Sequence, residues 1–181
     1  MISIKVLRKQ SSYDFKVNPK KEGSFDNNWK NNSRDWFVLY DDECEIARFR
    51  CQSVANYCFG DMASNGDTEH GDTIAHGLFK VKCFVDPRSF HGEIHGIVET
   101  KDLDGQWINR NSMQIVNGFQ TGRWLIHDKW SNSLKKDTNT AWSAGCIIMS
   151  SSDLKSFNDL LHAYKIKSGD FILGEIVEVE K

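Results

Sequence analysis

A β-rich α+β domain, a sandwich or barrel of short strands with one main helix, is the fold class this sequence predicts, and three observations carry it. Short runs rich in β-branched and aromatic residues recur along the chain with polar turns between them. Helical periodicity is clear in one stretch, where Leu154, Phe157, Leu160, Leu161 and Tyr164 recur at helix spacing. Finally, 181 residues with 39% hydrophobic and 27% charged content suit one sizeable core and are short for two, so residues 1–181 are expected to form a single domain.

The elements can be justified in order. Met1-Ile2-Ser3-Ile4-Lys5-Val6-Leu7 alternates apolar and polar residues and reads as a first strand. It lacks the long apolar core and small-residue cleavage site of a secretory signal, and no run in the chain reaches the length of a membrane-spanning helix. Residues 18–33 are polar and rich in Lys and Asn, interrupted by Phe25 and Trp29, which predicts a loop or hairpin excursion. Asp35-Trp36-Phe37-Val38-Leu39-Tyr40 and Glu45 to Cys51 then form a hairpin across Asp41-Asp42-Glu43.

From Phe59 to Asp72 three glycines and several aspartates compose a loop. Leu78 to Val85 alternates cleanly, a half-buried strand with His76-Gly77 just ahead of it. Ser112–Val116 and Arg123–His127 are expected as short strands bracketing a turn at Asn117-Gly118. The main helix follows Met149, with Ser151 or Ser152 as cap and Asp153 complementing the helix dipole. After Gly169, Phe171 to Val179 alternates as a closing strand with Glu175 and Glu178 outward.

Charge and cysteine usage exclude some functions. The 23 basic and 25 acidic residues are intermixed, for a net charge of −2, so no basic stripe announces nucleic acid or an anionic membrane as partner. The five cysteines Cys44, Cys51, Cys58, Cys83 and Cys146 are odd in number, and no two have CxxC spacing, which removes the main support for a zinc ribbon or a thioredoxin-like site. Cys44, Cys51 and Cys58 repeat every seven residues and would share one face of a helix; as small buried hydrophobes in a reducing compartment they need no further role. A disulfide among the first four would leave Cys146 unpaired.

Cys146 differs in kind. It stands in Trp142-Ser143-Ala144-Gly145-Cys146-Ile147-Ile148, where a glycine ahead of the thiol permits a sharp turn and lets backbone N–H groups converge on an oxygen developing charge beside the sulfur. The short residues Ser143 and Ala144 keep the approach open, and Ile147-Ile148-Met149 can anchor the turn in a core. A thiol becomes a nucleophile only as thiolate, so it needs a base. Trp124-Leu125-Ile126 reads as a short strand that delivers His127 and Asp128 at its end, fifteen residues before Ser143. The plain alternative is a tight turn that runs into a strand and buries a free cysteine.

The frame of His127, fifteen residues and Ser143-Ala144-Gly145-Cys146-Ile147 resembles the L,D-transpeptidase (YkuD-like) catalytic domain, in a divergent form similar to small phage-associated relatives. The likeness extends to Ile74-Ala75-His76-Gly77-Leu78-Phe79-Lys80-Val81 upstream and to the helix and strand downstream, about residues 36–180 in all. It implies a cysteine acyl-transfer enzyme acting on peptidoglycan stem peptides through a Cys146 thioester. Cys146 would be nucleophile, His127 base, Gly145 and Ser143 the shaping residues, and the carbonyl of Asp128 the group that orients His127, with Asn139 and Asp137 in reserve. The family's histidine before Gly-Cys is Ala144 here, and its arginine or asparagine two residues after the cysteine is Ile148. Arg123, Lys129, Lys135 and Lys136 are the cations available to stand in for the second, and Arg123, Trp130 and Trp142 are the expected substrate-binding residues. No cofactor is expected. Without a visible signal segment, the protein would be cytoplasmic as encoded or reach a cell wall by a non-classical route.

Competing readings remain. His91, Glu93 and His95 fall on one strand face and, with His70 or His76, could hold a metal, although surface histidines in a glycine-containing hairpin explain them equally. Papain-like peptidoglycan amidases also join Cys to His, but with the cysteine first in the chain. A catalytically retired member of the fold, binding peptidoglycan or a protein in a phage or secretion apparatus, is the alternative outside enzymology.

Overall fold

The structure, a computed structural model, describes residues 1–14, 27–56, 71–85, 93–101, 104–108, 112–116, 118–121, 124–129, 139 and 141–180. Ten strands are present among them: β1 (Ile2–Lys9), β2 (Asp35–Asp41), β3 (Cys44–Cys51), β4 (Gly77–Val85), β5 (Ile94–Thr100), β6 (Ser112–Ile115), β7 (Gly118–Thr121), β8 (Trp124–Asp128), β9 (Ile147–Met149) and β10 (Phe171–Val179). A short helix α1 (Trp29–Asn32) and the main helix α2 (Ser151–Ala163) accompany them, with a 3-10 turn at Gln10–Asp14.

Eight strands make one mixed sheet in the order β3-β2-β1-β10-β4-β5-β8-β9. Its two edges come back together, because Gln52, just beyond β3, exchanges two backbone hydrogen bonds with Ile148 of β9 at 2.8 and 3.0 Å. The result is a nearly closed β-barrel, and the β-rich α+β expectation holds. Two pairs are parallel, β1 with β10 and β8 with β9. A parallel pair of consecutive strands needs a crossover rather than a tight turn, so the long connection from β8 to β9 is a topological necessity.

The period-2 pattern read from the sequence decides what faces the barrel interior. Ile2, Ile4 and Val6 of β1, Phe37 and Leu39 of β2, Phe79 and Val81 of β4, and Ile172 and Ile176 of β10 are buried together in one core. Gly174 lies opposite Phe79, and a Cβ there would run into the Phe79 ring, so the glycine makes room for an aromatic side chain. Helix α2 turns Leu154, Phe157 and Leu161 into the same core, where Phe157 meets Phe37 edge-on at 5.0 Å between ring centroids. The cap of α2 is Ser150, just ahead of the expected Ser151 and Ser152; its Oγ accepts from the Asp153 N–H at 3.2 Å.

One inward position of β1 is charged. Arg8 continues the Ile2-Ile4-Val6 series and is completely buried. Its guanidinium donates to Ser53 Oγ and O, Tyr13 Oη and the Ile74 carbonyl at 2.7 to 2.9 Å. Ser53 Oγ in turn donates to the buried Asp35 carboxylate at 2.6 Å, so the two buried charges are joined through a hydroxyl. Burial that complete is tolerable because each charge has several partners.

Several expectations are corrected. Ser112–Val116 does not pair with the Trp124 strand: β6 pairs with β7, and β8 pairs with β5. The second arm of that hairpin, Gly118–Thr121, lacks the apolar run by which strands are recognised. The 18–33 excursion includes α1, capped by Asn28, while residues 18–26 lie outside the described residues. The sevenfold cysteine spacing is not helical, for Cys44 and Cys51 are the two ends of β3, the first exposed and the second buried. Among the described residues Cys44, Cys51, Cys83 and Cys146 form no disulfide, and burial pushes the Cys83 thiol up to about 12.

Candidate active site

Strand β8 carries His127 on a segment whose five residues are all buried. His127 is 7% exposed, and its Nδ1 lies 2.5 Å from the carbonyl oxygen of the next residue, Asp128. A carbonyl oxygen can only accept, so this contact puts the ring proton on Nδ1 and makes Nε2 the basic nitrogen of the neutral ring. The Asp128 side chain is used differently: Oδ2 accepts from Ser151 Oγ at 2.9 Å, which ties the end of β8 to the first turn of α2.

Neighbouring β9 runs parallel to β8 with His127 opposite Ile148. Cys146 immediately precedes β9, whose first residue, Ile147, pairs with Ile126 next to His127. It is partly exposed and packs against the edge of the core. Ile147 and Met149 anchor β9 within that core.

The turn ahead of Cys146 is held by a compact set of bonds. Ser143 Oγ donates to the Cys146 carbonyl at 2.7 Å and accepts from the Gly145 N–H at 3.1 Å, closing the turn on itself. This corrects two expectations. Ser143 is buried and shapes the turn from within rather than keeping an approach open. The Gly145 N–H is directed at Ser143 Oγ, so it is not the donor aimed at a developing oxyanion. Gly145 is nevertheless required, because a Cβ there would collide with the Asp72 carbonyl oxygen and stand 2.9 Å from Trp124 Nε1.

Asn56, Asp72 and Trp124, none singled out for this purpose by sequence, complete the support. Asn56 is fully buried and clamps the approach to the turn: its Oδ1 accepts from the Ser143 N–H at 2.8 Å, its Nδ2 donates to the Ala141 carbonyl at 3.1 Å, and its own N–H donates to the Ser143 carbonyl at 3.0 Å. Asp72 donates its N–H to the Ala144 carbonyl at 3.1 Å and accepts the Trp124 indole N–H on its own carbonyl at 2.9 Å. The buried asparagine opposite a backbone segment carries no linear signature, since its partners are 85 and 87 residues away.

The remaining expected residues divide simply. Trp142 is half-buried beside the turn. Asn139 is exposed, and its carbonyl accepts from the Trp29 N–H at 2.8 Å, so it faces α1. Arg123, Trp130, Lys135, Lys136 and Asp137 lie outside the described residues, whereas Lys129 is described, with its N–H donating to the Met149 carbonyl at 2.8 Å.

The metal reading of the second histidine group does not fit. His95 is fully buried; its Nδ1 accepts from the Phe84 N–H at 3.0 Å, which leaves Nε2 to donate to Asn158 Oδ1 at 2.6 Å. Both ring nitrogens are thereby committed, and burial lowers the His95 pKa to about 4. Glu93 faces His162 at 3.1 Å instead. Among the described residues no cluster of three or more His, Cys, Asp or Glu side chains could hold a metal; His70 and His91 lie outside them.

The fold and site thus define a nearly closed β-rich barrel with a histidine on β8 and a cysteine just ahead of its parallel neighbour β9. No family model matches the chain, and no solved structure does. A protein of Treponema pallidum (strain Nichols), described as uncharacterized, is 48% identical over 181 residues, which cover 99% of this chain and 81% of the relative. The chain belongs to the same family as that protein. Among the described residues no helix is long and apolar enough to cross a membrane.

Proposed function

We propose that this protein is a cysteine acyl-transfer enzyme of the L,D-transpeptidase type that acts on peptidoglycan stem peptides. The observation that carries the reading is the His127 Nδ1 contact to the Asp128 carbonyl, which leaves Nε2 as the basic nitrogen of a ring on β8, the strand paired in parallel with the one that directly follows Cys146. His127 Nε2 takes the thiol proton, and the thiolate attacks the carbonyl carbon of a peptide bond. Collapse of the tetrahedral intermediate breaks the C–N bond, and the proton passes from Nε2 to the departing amine. An amine or a water then attacks the thioester, giving its proton to Nε2 and releasing the Cys146 sulfur. An amine acceptor makes the enzyme a transpeptidase; water makes it a carboxypeptidase or endopeptidase. No cofactor enters this chemistry. On this reading the half-buried Trp142, next to the turn in the chain, flanks the bound peptide.

A second reading is favoured by one observation: Ser143 Oγ and the Gly145 N–H satisfy each other inside the turn, and Ala144 and Ile148 stand where the resembling family carries polar residues. On that reading the same fold binds peptidoglycan or a protein partner without chemistry. Intact-mass analysis of the wild type and Cys146→Ala after incubation with purified muropeptides and with a carbapenem separates the two. The enzyme reading expects an acyl adduct or a processed peptide that depends on Cys146. Ordinary alkylation of Cys146 with no adduct and no product overturns it and leaves the binding module.

A further inference from the structure

Four cations far apart in sequence converge on one surface cleft. Lys9 at the end of β1, Lys30 in α1, Arg34 just before β2 and Arg50 near the end of β3 line it together with Ser11 and Ser33, around a volume of about 450 Å³. No carboxylate is among its described lining residues. On a chain with a net charge of −2, such a concentration of one sign is a local feature of the fold.

Several neutral partners help to hold the two guanidinium groups. Arg34 donates through Nε to the Asn31 carbonyl at 2.6 Å and through Nη1 to the Ser11 carbonyl at 2.9 Å. Arg50 stacks on Trp36, 3.7 Å from the ring centroid, with Nη1 3.4 Å from the Arg34 carbonyl. These contacts fix the side chains, and their acceptors are carbonyls and a ring, none of which carries a negative charge. The acid next in the chain, Asp35, is turned inward: its carboxylate accepts from the Lys9 N–H, Ser12 Oγ and Ser53 Oγ, and through Ser53 it faces the buried Arg8. Its charge is therefore matched on the far side of the cleft wall. No ion pair between described residues involves Lys9, Lys30 or Arg50.

Fixed like charges facing one space are stabilised by an anion with several acceptor oxygens. The Arg50 guanidinium, the Lys9 and Lys30 ammonium groups and the Ser11 hydroxyl suit a phosphoryl group better than a single carboxylate, whose one charge would leave two of these three cations unmatched. The cleft also has room beyond one phosphoryl group for what carries it. We propose that this cleft is a binding site for a phosphoryl-bearing ligand, formed by Lys9, Lys30, Arg34 and Arg50, and independent of the chemistry at Cys146.

The test is an NMR titration of the ¹⁵N-labelled full chain with pyrophosphate, inorganic phosphate and acetate at constant ionic strength. Sedimentation with phosphatidylglycerol vesicles forms a second arm. Pyrophosphate is expected to shift the lining residues saturably, and acetate is not. The double variant Lys30→Gln/Arg50→Gln should bind at least about 10-fold more weakly, and Lys155→Gln on α2 should be unchanged. Circular dichroism checks that each variant is folded. Pyrophosphate binding without vesicle binding supports a soluble phosphoryl ligand, and binding of both supports the same group presented by a lipid. Non-saturating shifts, an undiminished response in the double variant, or vesicle binding with pyrophosphate inert overturns the proposal.

Discussion

Two buried histidines on paired strands, His95 on β5 and His127 on β8, are wired in opposite ways. His95 lies opposite Ile126 in the register, so His127, the next residue of β8, projects from the other face of the same sheet. At His95, a backbone N–H points at Nδ1, which must then accept, and Nε2 donates to Asn158. At His127, a backbone carbonyl meets Nδ1, which must then donate, so Nε2 becomes the basic nitrogen. Burial alone does not distinguish a structural histidine from a catalytic candidate. The polarity of the backbone group facing Nδ1 sets the tautomer, and the tautomer sets what the ring can do.

His95 has a definite structural task. It captures the N–H of Phe84, a residue with φ of 52° at an irregularity in the β4–β5 pairing, and Ser168 Oγ holds the Phe84 carbonyl at 2.8 Å. Left-handed backbone at a bulky residue persists only where the surroundings hold it, and here two side chains do so. Through Asn158, which also donates to the Glu93 carbonyl at 2.9 Å, the same ring fastens α2 to β5.

The contrast can be broken most directly at the His127 end. His127→Ala should lower Cys146-dependent acylation by about 10²- to 10⁴-fold, the usual worth of a positioned general base. His95→Gln should leave acylation per folded molecule nearly intact, as read by intact-mass time courses. Equal losses in both variants would abolish the distinction. Next in size is a pH effect that belongs to His95. Its folded pKa of about 4 lies below the unfolded value, so its contribution to stability is complete above about pH 6.5 and is lost as pH falls towards 4. Urea unfolding at pH 7.5 and pH 4.5 should differ by about 3 kcal/mol from this group, and the difference should shrink in His95→Gln.

Smaller effects sharpen the other side. Asn56→Ala removes both side-chain bonds to the segment ahead of Cys146 and leaves buried backbone groups unpaired, a loss of about 1 to 3 kcal/mol by chemical denaturation. The same variant should speed alkylation of Cys146 by iodoacetamide relative to that of Cys44, because the turn that carries the thiol loosens. Ser150→Ala, which removes the α2 cap, should cost about 1 kcal/mol in the same assay while leaving the alkylation ratio unchanged.

Different parts of the molecule were legible to different degrees. β1, the β2–β3 hairpin, β4, α2 and β10 follow from local periodicity and turn residues, because each buries one face of a regular element. β7 was missed since Gly118-Phe119-Gln120-Thr121 is short and mixed, and its pairing with β6 was misassigned to the stronger run at Trp124. Cys146, His127 and Gly145 stand out because nucleophile, base and sharp turn demand particular residue types at short range. Asn56 and Asp72 could not be found that way, since they meet the turn only after the chain has closed into a barrel.

Alternation and capping along the chain were enough to specify a β-rich barrel or sandwich with one helix, and the residue types around Cys146 were enough to nominate its chemistry. Strand order, the Gln52–Ile148 closure, the opposite tautomers of His95 and His127 and the gathering of Lys9, Lys30, Arg34 and Arg50 into one cleft required the folded chain. The physical reason is common to all of them. Side-chain period is a local property, whereas hydrogen-bond partners and charge neighbours depend on which distant segments the closed sheet brings alongside.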